Sequence, residues 1–308
     1  MYLEHFDLKA LPFTITPDTE FFMNRAGYQD ALNVLLVALR SGEGFIKVTG
    51  EVGVGKTLLC RKLLHSLKGE FTTAYIYNPY LEPDTLLFAI ADELGVAYEA
   101  TTNRHILQKH ITLRLLKNLE QGKRVILCLD EVQAMPVRTL ETLRLLTNIE
   151  TEKRKLIQVV LFGQPELDVL LEQPSIRQLK QRITFAYQLK PLNRAAVRAY
   201  LRHRLMVAGY KGRDFFSSAA MDQLHSTSGG IPRMINILSH KAMLAAYGRG
   251  DHHIGSRHVR AAVKDSPEAQ HPWWLRVFRE SPQLLRWISR AFGATALAMI
   301  LLRFYGER

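Results

Sequence analysis

The chain has 308 residues, of which 47% are hydrophobic, which excludes a disordered chain and allows one large domain or two smaller ones. Its 41 Lys and Arg exceed its 29 Asp and Glu for a formal charge of +12, which calls for an acidic partner: nucleic acid or an anionic membrane surface. Cys60 and Cys128 lack metal-ligand spacing and read as small core residues in a reducing compartment; the first residues show no secretory signal, so a cytoplasmic location is expected.

In chain order, the first stretch is aromatic and turn-rich, with Phe6-Asp7-Leu8, Pro12-Phe13 and Phe21-Phe22. It reads either as a wall of an adenine pocket or as a hydrophobic flap over a sheet. Ala31, Leu32, Leu35, Leu36 and Leu39 recur at helical spacing and predict a helix over residues 27–39. From residue 45 onward, strands at 45–49, 73–77, 124–129, 156–162 and 183–189 alternate with helices at 58–64, 85–94, 104–120 and 136–149. Such alternation predicts an α/β fold, a parallel sheet with helices on both faces, binding its ligand beyond the carboxyl ends of the strands.

After Pro191 the pattern is helical only, with helices at 194–207, 214–226, 232–247 and 256–264 and stops at Gly209, Gly229-Gly230 and Gly248 to Gly250. This predicts a smaller all-helical lid. The expected divisions are an N-terminal segment at 1–40, a core at 41–191, the lid at 192–265, and a linker with a tail at 266–308. Residues 273–308 hold all three tryptophans, six arginines and two acids, a pattern that suits a helix lying at an anionic membrane interface. The apolar run 291–302 falls short of the roughly twenty residues that span a bilayer. A short insertion with Arg290 and Arg303 snorkelling, or packing on the lid or a neighbouring subunit, are the alternatives.

Two segments carry the chemistry. Gly50, Glu51, Val52, Gly53, Val54, Gly55, Lys56 and Thr57 fit G-x-x-x-x-G-K-[ST] at every fixed position, between an apolar strand and a helix that continues through Leu58. Glycines let successive N–H groups point at phosphate oxygens, the helix adds its positive end, and Lys56 brings an ammonium. Thr57 offers a hydroxyl to Mg²⁺. About seventy residues on, the apolar strand 125–129 ends in Asp130 and Glu131. Asp130 can hold the metal and Glu131 can orient or deprotonate a water. The pair predicts a P-loop NTPase that binds ATP and Mg²⁺ and hydrolyses the nucleotide.

An acid-ended strand, a later strand, an arginine-bearing segment and a helical lid together resemble the layout of AAA+ ATPases. More narrowly, the chain resembles the ExeA/GspA-like group over roughly residues 1–265. Phe6-Asp7-Leu8 with Pro12-Phe13, the 50–57 loop, Leu129-Asp130-Glu131, Gly163-Gln164-Pro165-Glu166-Leu167 and Gly230-Ile231-Pro232-Arg233 carry that likeness. The resemblance implies that Gln164 is the polar sensor beside the γ-phosphate. It implies an arginine finger at Arg177 or Arg182, with Arg182 preferred, and a second sensor at Arg233. It further implies a homo-oligomer that serves assembly of a cell-envelope machine, a type IV pilus of the mannose-sensitive haemagglutinin type or type II secretion. The likeness favours insertion of the tail, whose own composition places the protein peripherally at the inner membrane. The alternative is a DNA-associated AAA+ switch of initiator or transposition-regulator type. The charge allows this reading, although no helix-turn-helix reader follows the lid.

Overall fold

The computed structural model describes residues 2–16, 21, 23, 27–99, 101–148, 155–212 and 214–270. The tail expected to meet a membrane, 273–308, lies outside the described residues. Five strands form one sheet: β1 (Phe45–Thr49), β2 (Phe71–Ile76), β3 (Arg124–Leu129), β4 (Ile157–Gly163) and β5 (Ile183–Gln188). They stand in the order β2-β3-β4-β1-β5, and every pairing is parallel.

The helices of the core are α1 (Tyr28–Arg40), α2 (Lys56–Leu67), α3 (Pro83–Glu93), α4 (Arg104–Glu120), α5 (Val137–Leu146), α6 (Glu166–Leu171) and α7 (Arg177–Arg182). Those of the lid are α8 (Arg194–Val207), α9 (Ser218–Ser228), α10 (Pro232–Tyr247) and α11 (Ser256–Lys264). Strand side chains alternate between faces, so β3 buries Val125, Leu127 and Leu129 among the apolar residues of α3, α4 and α5. It buries Ile126 and Cys128 on the opposite face, with α1 and α2. β4, flanked by β3 and β1, is buried along its whole length, as expected of a central parallel strand.

Local chemistry sets several helix starts. Asn103 and Asn193 accept hydrogen bonds from the N–H groups of Ile106 and Ala196, which opens α4 and α8. Ser217 does the same for α9 through Ala220, so this helix begins four residues later than its pattern suggested. Phe215 and Phe216 ahead of it are buried, and Phe216 bridges to Ile254. The short helices α6 and α7 escaped the sequence reading because six residues are too few to display a helical period.

The aromatic N-terminal segment covers the lid. Tyr2, Phe6, Leu8 and Phe13 share one apolar cluster with Leu205, Phe215 and Phe216. Phe6 meets Phe215 and Phe13 meets Phe216 at ring-centroid separations of 5.2 and 5.9 Å. The Arg204 guanidinium, only 5% exposed, donates to the Pro12 carbonyl, to the Tyr200 hydroxyl at 3.0 Å and to Thr14 Oγ1 at 3.3 Å, and lies over the Phe21 ring. An arginine thus stands buried on carbonyl, hydroxyl and aromatic partners. Lid and core meet where the N–H of Leu192 donates to the Gly230 carbonyl at 2.9 Å and that of Arg233 to the Gly53 carbonyl at 3.2 Å.

Candidate functional site

Because β4 lies between β3 and β1, the carboxyl ends of all three strands come together. β1 runs into the glycine loop and α2, β3 into Asp130 and Glu131, and β4 into Gln164. Gly53 lies in the loop with φ +77°, and a Cβ built on it would stand 2.6 Å from Arg233 Cβ. Only glycine allows this approach, so the loop and the start of α10 fit as one surface.

Lys56 is 4% exposed, and its ammonium donates to the carbonyls of Gly50 at 2.7 Å and Glu51 at 3.1 Å. Burial pulls its pKa down, and the charges of Glu131, Asp130, Glu51 and Glu166 oppose that. The Thr57 hydroxyl donates to Asp130 Oδ2 at 2.8 Å, and the Tyr75 hydroxyl donates to the same oxygen at 3.2 Å. Asp130 Oδ1 accepts the N–H of Glu131 at 3.0 Å. Burial first, then the neighbouring Asp130 charge, pushes the Tyr75 phenol well up, so it stays a donor.

Glu131 Oε2 accepts from Gln133 Nε2 at 2.7 Å and from Gln164 Nε2 at 2.9 Å, and Gln133 Oε1 accepts the Gln164 N–H at 2.9 Å. Burial raises the Glu131 carboxyl, but the Gln164 and Gln133 donors and the Lys56 charge together hold it below the usual glutamate range.

The structure therefore brings Lys56, Thr57, Asp130, Glu131 and Gln164 into one corner, with Arg233 at its rim through Gly53. Arg177 and Arg182 do not join them. β5 starts at Ile183 opposite Phe45, the start of β1, so both arginines sit at the far edge of the sheet from the glycine loop. The Arg182 guanidinium is engaged within its own chain, on the Arg144 carbonyl at 3.3 Å and Thr147 Oγ1 at 3.2 Å near the end of α5. The Arg177 side chain is exposed and makes no hydrogen bond or ion pair among the described residues.

Gln133 is the site residue that the sequence reading missed. The signal was a lone polar residue two places after the acid pair, and nothing in its spacing showed that the chain doubles back there. The donor set suits Mg²⁺, which takes hard oxygen ligands and is usually held by one or two carboxylates together with phosphates. Thr57 Oγ1 and Asp130 supply such oxygens side by side, while no cluster of three or more His, Cys, Asp or Glu that could cage a metal occurs among the described residues.

Residues 39–171 match the family model described as an AAA domain. The general secretion pathway protein A of Aeromonas hydrophila is 46% identical over 254 residues, which cover 82% of this chain. This chain is GspA/ExeA-like and carries an AAA domain. It spans about half the length of that relative, the match covering 46% of it. Among solved structures, Cdc6p of Pyrobaculum aerophilum aligns at a TM-score of 0.62 and 19% identity over 81% of this chain and 71% of that one. The Aeropyrum pernix ORC1 protein solved with DNA gives 0.60 and 20% over 82% and 69%, and Thermotoga maritima RuvB gives 0.52 and 17% over 77% and 67%. At such identities the likeness shows the fold alone: an AAA+ P-loop sheet followed by a helical lid.

Proposed function

We propose that the chain binds ATP with Mg²⁺ at the 50–57 loop, hydrolyses it to ADP and phosphate, and thereby drives or controls assembly of a cell-envelope machine. The observation that carries the catalytic part is the direct Thr57–Asp130 hydrogen bond of 2.8 Å with Glu131 next in the chain. It joins the two halves of an NTPase site that lie far apart in sequence. In this reading loop N–H groups and Lys56 bind the phosphates, Glu131 takes a proton from the attacking water, and the Gln164 amide orients it. Thr57 and Asp130 would hold Mg²⁺, which when bound would neutralise charge on the phosphate oxygens. Arg233 closes the lid on the γ-phosphate, and Arg177 or Arg182 reaches a neighbour's site in a homo-oligomer.

Similarity to general secretion pathway protein A supports a role in type II secretion. The motifs at Phe6-Asp7-Leu8 and Gly163 to Leu167 support the ExeA/GspA-like group, and within it the proposal extends to type IV pilus biogenesis of the MshM kind. Residues 273–308 would hold the protein peripherally at the inner membrane; among the described residues no helix is long and apolar enough to cross a membrane. Purified full chain should release phosphate only with Mg²⁺. Lys56→Ala should lose nucleotide binding, and Glu131→Gln should bind ATP but turn it over slowly. Unchanged turnover in the glutamine variant would remove Glu131 as the base.

One observation favours the DNA-associated reading: the lid, residues 192–265, holds twelve Lys and Arg against four Asp and Glu, so most of the chain's +12 resides there. Washing from membranes at low salt combined with strongly salt-dependent binding to duplex DNA would decide for it.

A further inference from the structure

We propose that Gln133 is a positioning residue that turns the Glu131 carboxylate so that Oε1 is the oxygen left to take the proton from water. The inference rests on Glu131 being the base of the hydrolysis proposed above.

Its grounds are geometric. Glu131 sits at φ +53°, one of two non-glycine residues with positive φ among the described residues, and is followed by a tight 3₁₀ turn over Val132–Ala134. A side chain other than glycine in this conformation costs roughly 1–2 kcal/mol, so packing and hydrogen bonds must hold it there. The turn folds Gln133 back over its neighbour. Its amide cannot be reversed, because the oxygen end accepts the backbone N–H of Gln164 at 2.9 Å and the nitrogen end must then face Glu131.

Two amide nitrogens thus converge on Glu131 Oε2, at 2.7 and 2.9 Å, while Oε1 receives no donor among the described residues. Filling both lone pairs of one oxygen fixes rotation of the carboxylate and leaves the other oxygen as the basic one. The same donors favour the ionised form and keep Glu131 charged at neutral pH. Gln133 also ties the end of β3 to the end of β4, so the base and the Gln164 amide share one register.

The test separates these two tasks of Gln133. Gln133→Glu keeps an acceptor for the Gln164 N–H but sets a carboxylate against Glu131, whereas Gln133→Met removes both contacts. Phosphate release at saturating ATP, its KM, binding of a fluorescent ATP analogue and thermal melting are recorded for each full chain, and Gln133→Met is also combined with Glu131→Gln.

In both Gln133 variants kcat should fall by about tenfold or more, because the carboxylate is no longer held with Oε1 toward the water. KM for ATP and analogue binding should stay within about twofold, and melting should stay close to that of the parent. In the Glu131→Gln background Gln133→Met should lower kcat by less than about twofold, since no carboxylate is left to orient. Unchanged kcat in both variants, an equally large further loss in the Glu131→Gln background, or a loss of activity that follows melting alone overturns the assignment. Should the parent protein hydrolyse no ATP, the functional reading falls, and a crystal structure of Gln133→Met still decides whether Gln133 turns the Glu131 carboxylate: an unmoved carboxylate there overturns the assignment.

Discussion

Replacing Gly230 by alanine tests how the lid is hung on the core. Gly230 has φ +74°, and a Cβ there would stand 2.1 Å from the Leu192 carbonyl oxygen, a separation that no relaxation of a side chain can relieve. The left-handed backbone alone costs an L-residue roughly 1–2 kcal/mol. The clash adds to this by forcing apart the segment in which the Leu192 N–H meets the Gly230 carbonyl at 2.9 Å, and a lost hydrogen bond is worth about another 1 kcal/mol. Gly250 provides the control, since it has the same φ of +74° and nothing within 4 Å of its built Cβ. Gly250→Ala should therefore lose only the backbone part, about 1 kcal/mol, and Gly230→Ala about 2–4 kcal/mol, read as a melting temperature lower by several degrees. Ile231, Pro232 and Arg233 follow directly, so the displaced segment should also withdraw the Arg233 N–H from the Gly53 carbonyl. Binding of a fluorescent ATP analogue should weaken in Gly230→Ala and remain normal in Gly250→Ala. Equal melting of the two variants would refute the argument, because the difference between them is the clash itself.

Two further outcomes follow from contacts already described. Arg204→Leu should cost about 2–4 kcal/mol in urea unfolding, since it strips the Pro12 carbonyl, Thr14 and Tyr200 of a buried charged donor, and should expose residues 2–16 to early proteolysis. Retention of the parent's proteolytic pattern would show that the strap holds without it. Arg182→Ala should lower the melting temperature by uncapping the end of α5, while Arg177→Ala should leave it unchanged yet slow phosphate release, with activity restored on mixing with Lys56→Ala. Restoration in the Arg182 mixture alone would assign the finger role to Arg182.

Much of the architecture is legible because it is local. The bounds of α4, β3, α8, α10 and α11 follow from apolar period together with caps and breakers: Asn103 and Asn193 as N-caps, Pro232 opening a helix, and glycines between elements. The glycine loop and the acid pair are recognisable for the same reason, since each packs its chemistry into a few consecutive residues. Even their meeting could be expected, because a parallel sheet gathers the carboxyl ends of its strands on one edge.

What the sequence left undecided was which particular side chains, distant in the chain, touch one another. No period could say that Phe6 and Phe13 would settle on Phe215 and Phe216 of the lid, because isolated aromatics carry no information about which apolar face they meet. Arg177 and Arg182 stand at the two ends of α7 and look equivalent as text; only the end of α5 distinguishes them by giving Arg182 two oxygen partners. Gln133 likewise acquires its partners through a positive φ at Glu131 and the arrival of Gln164 from β4. Period, caps and motif spacing are properties of neighbouring residues and so are written in the sequence, whereas the orientation of a carboxylate depends on donors from two separate strand ends and exists only once the sheet has assembled.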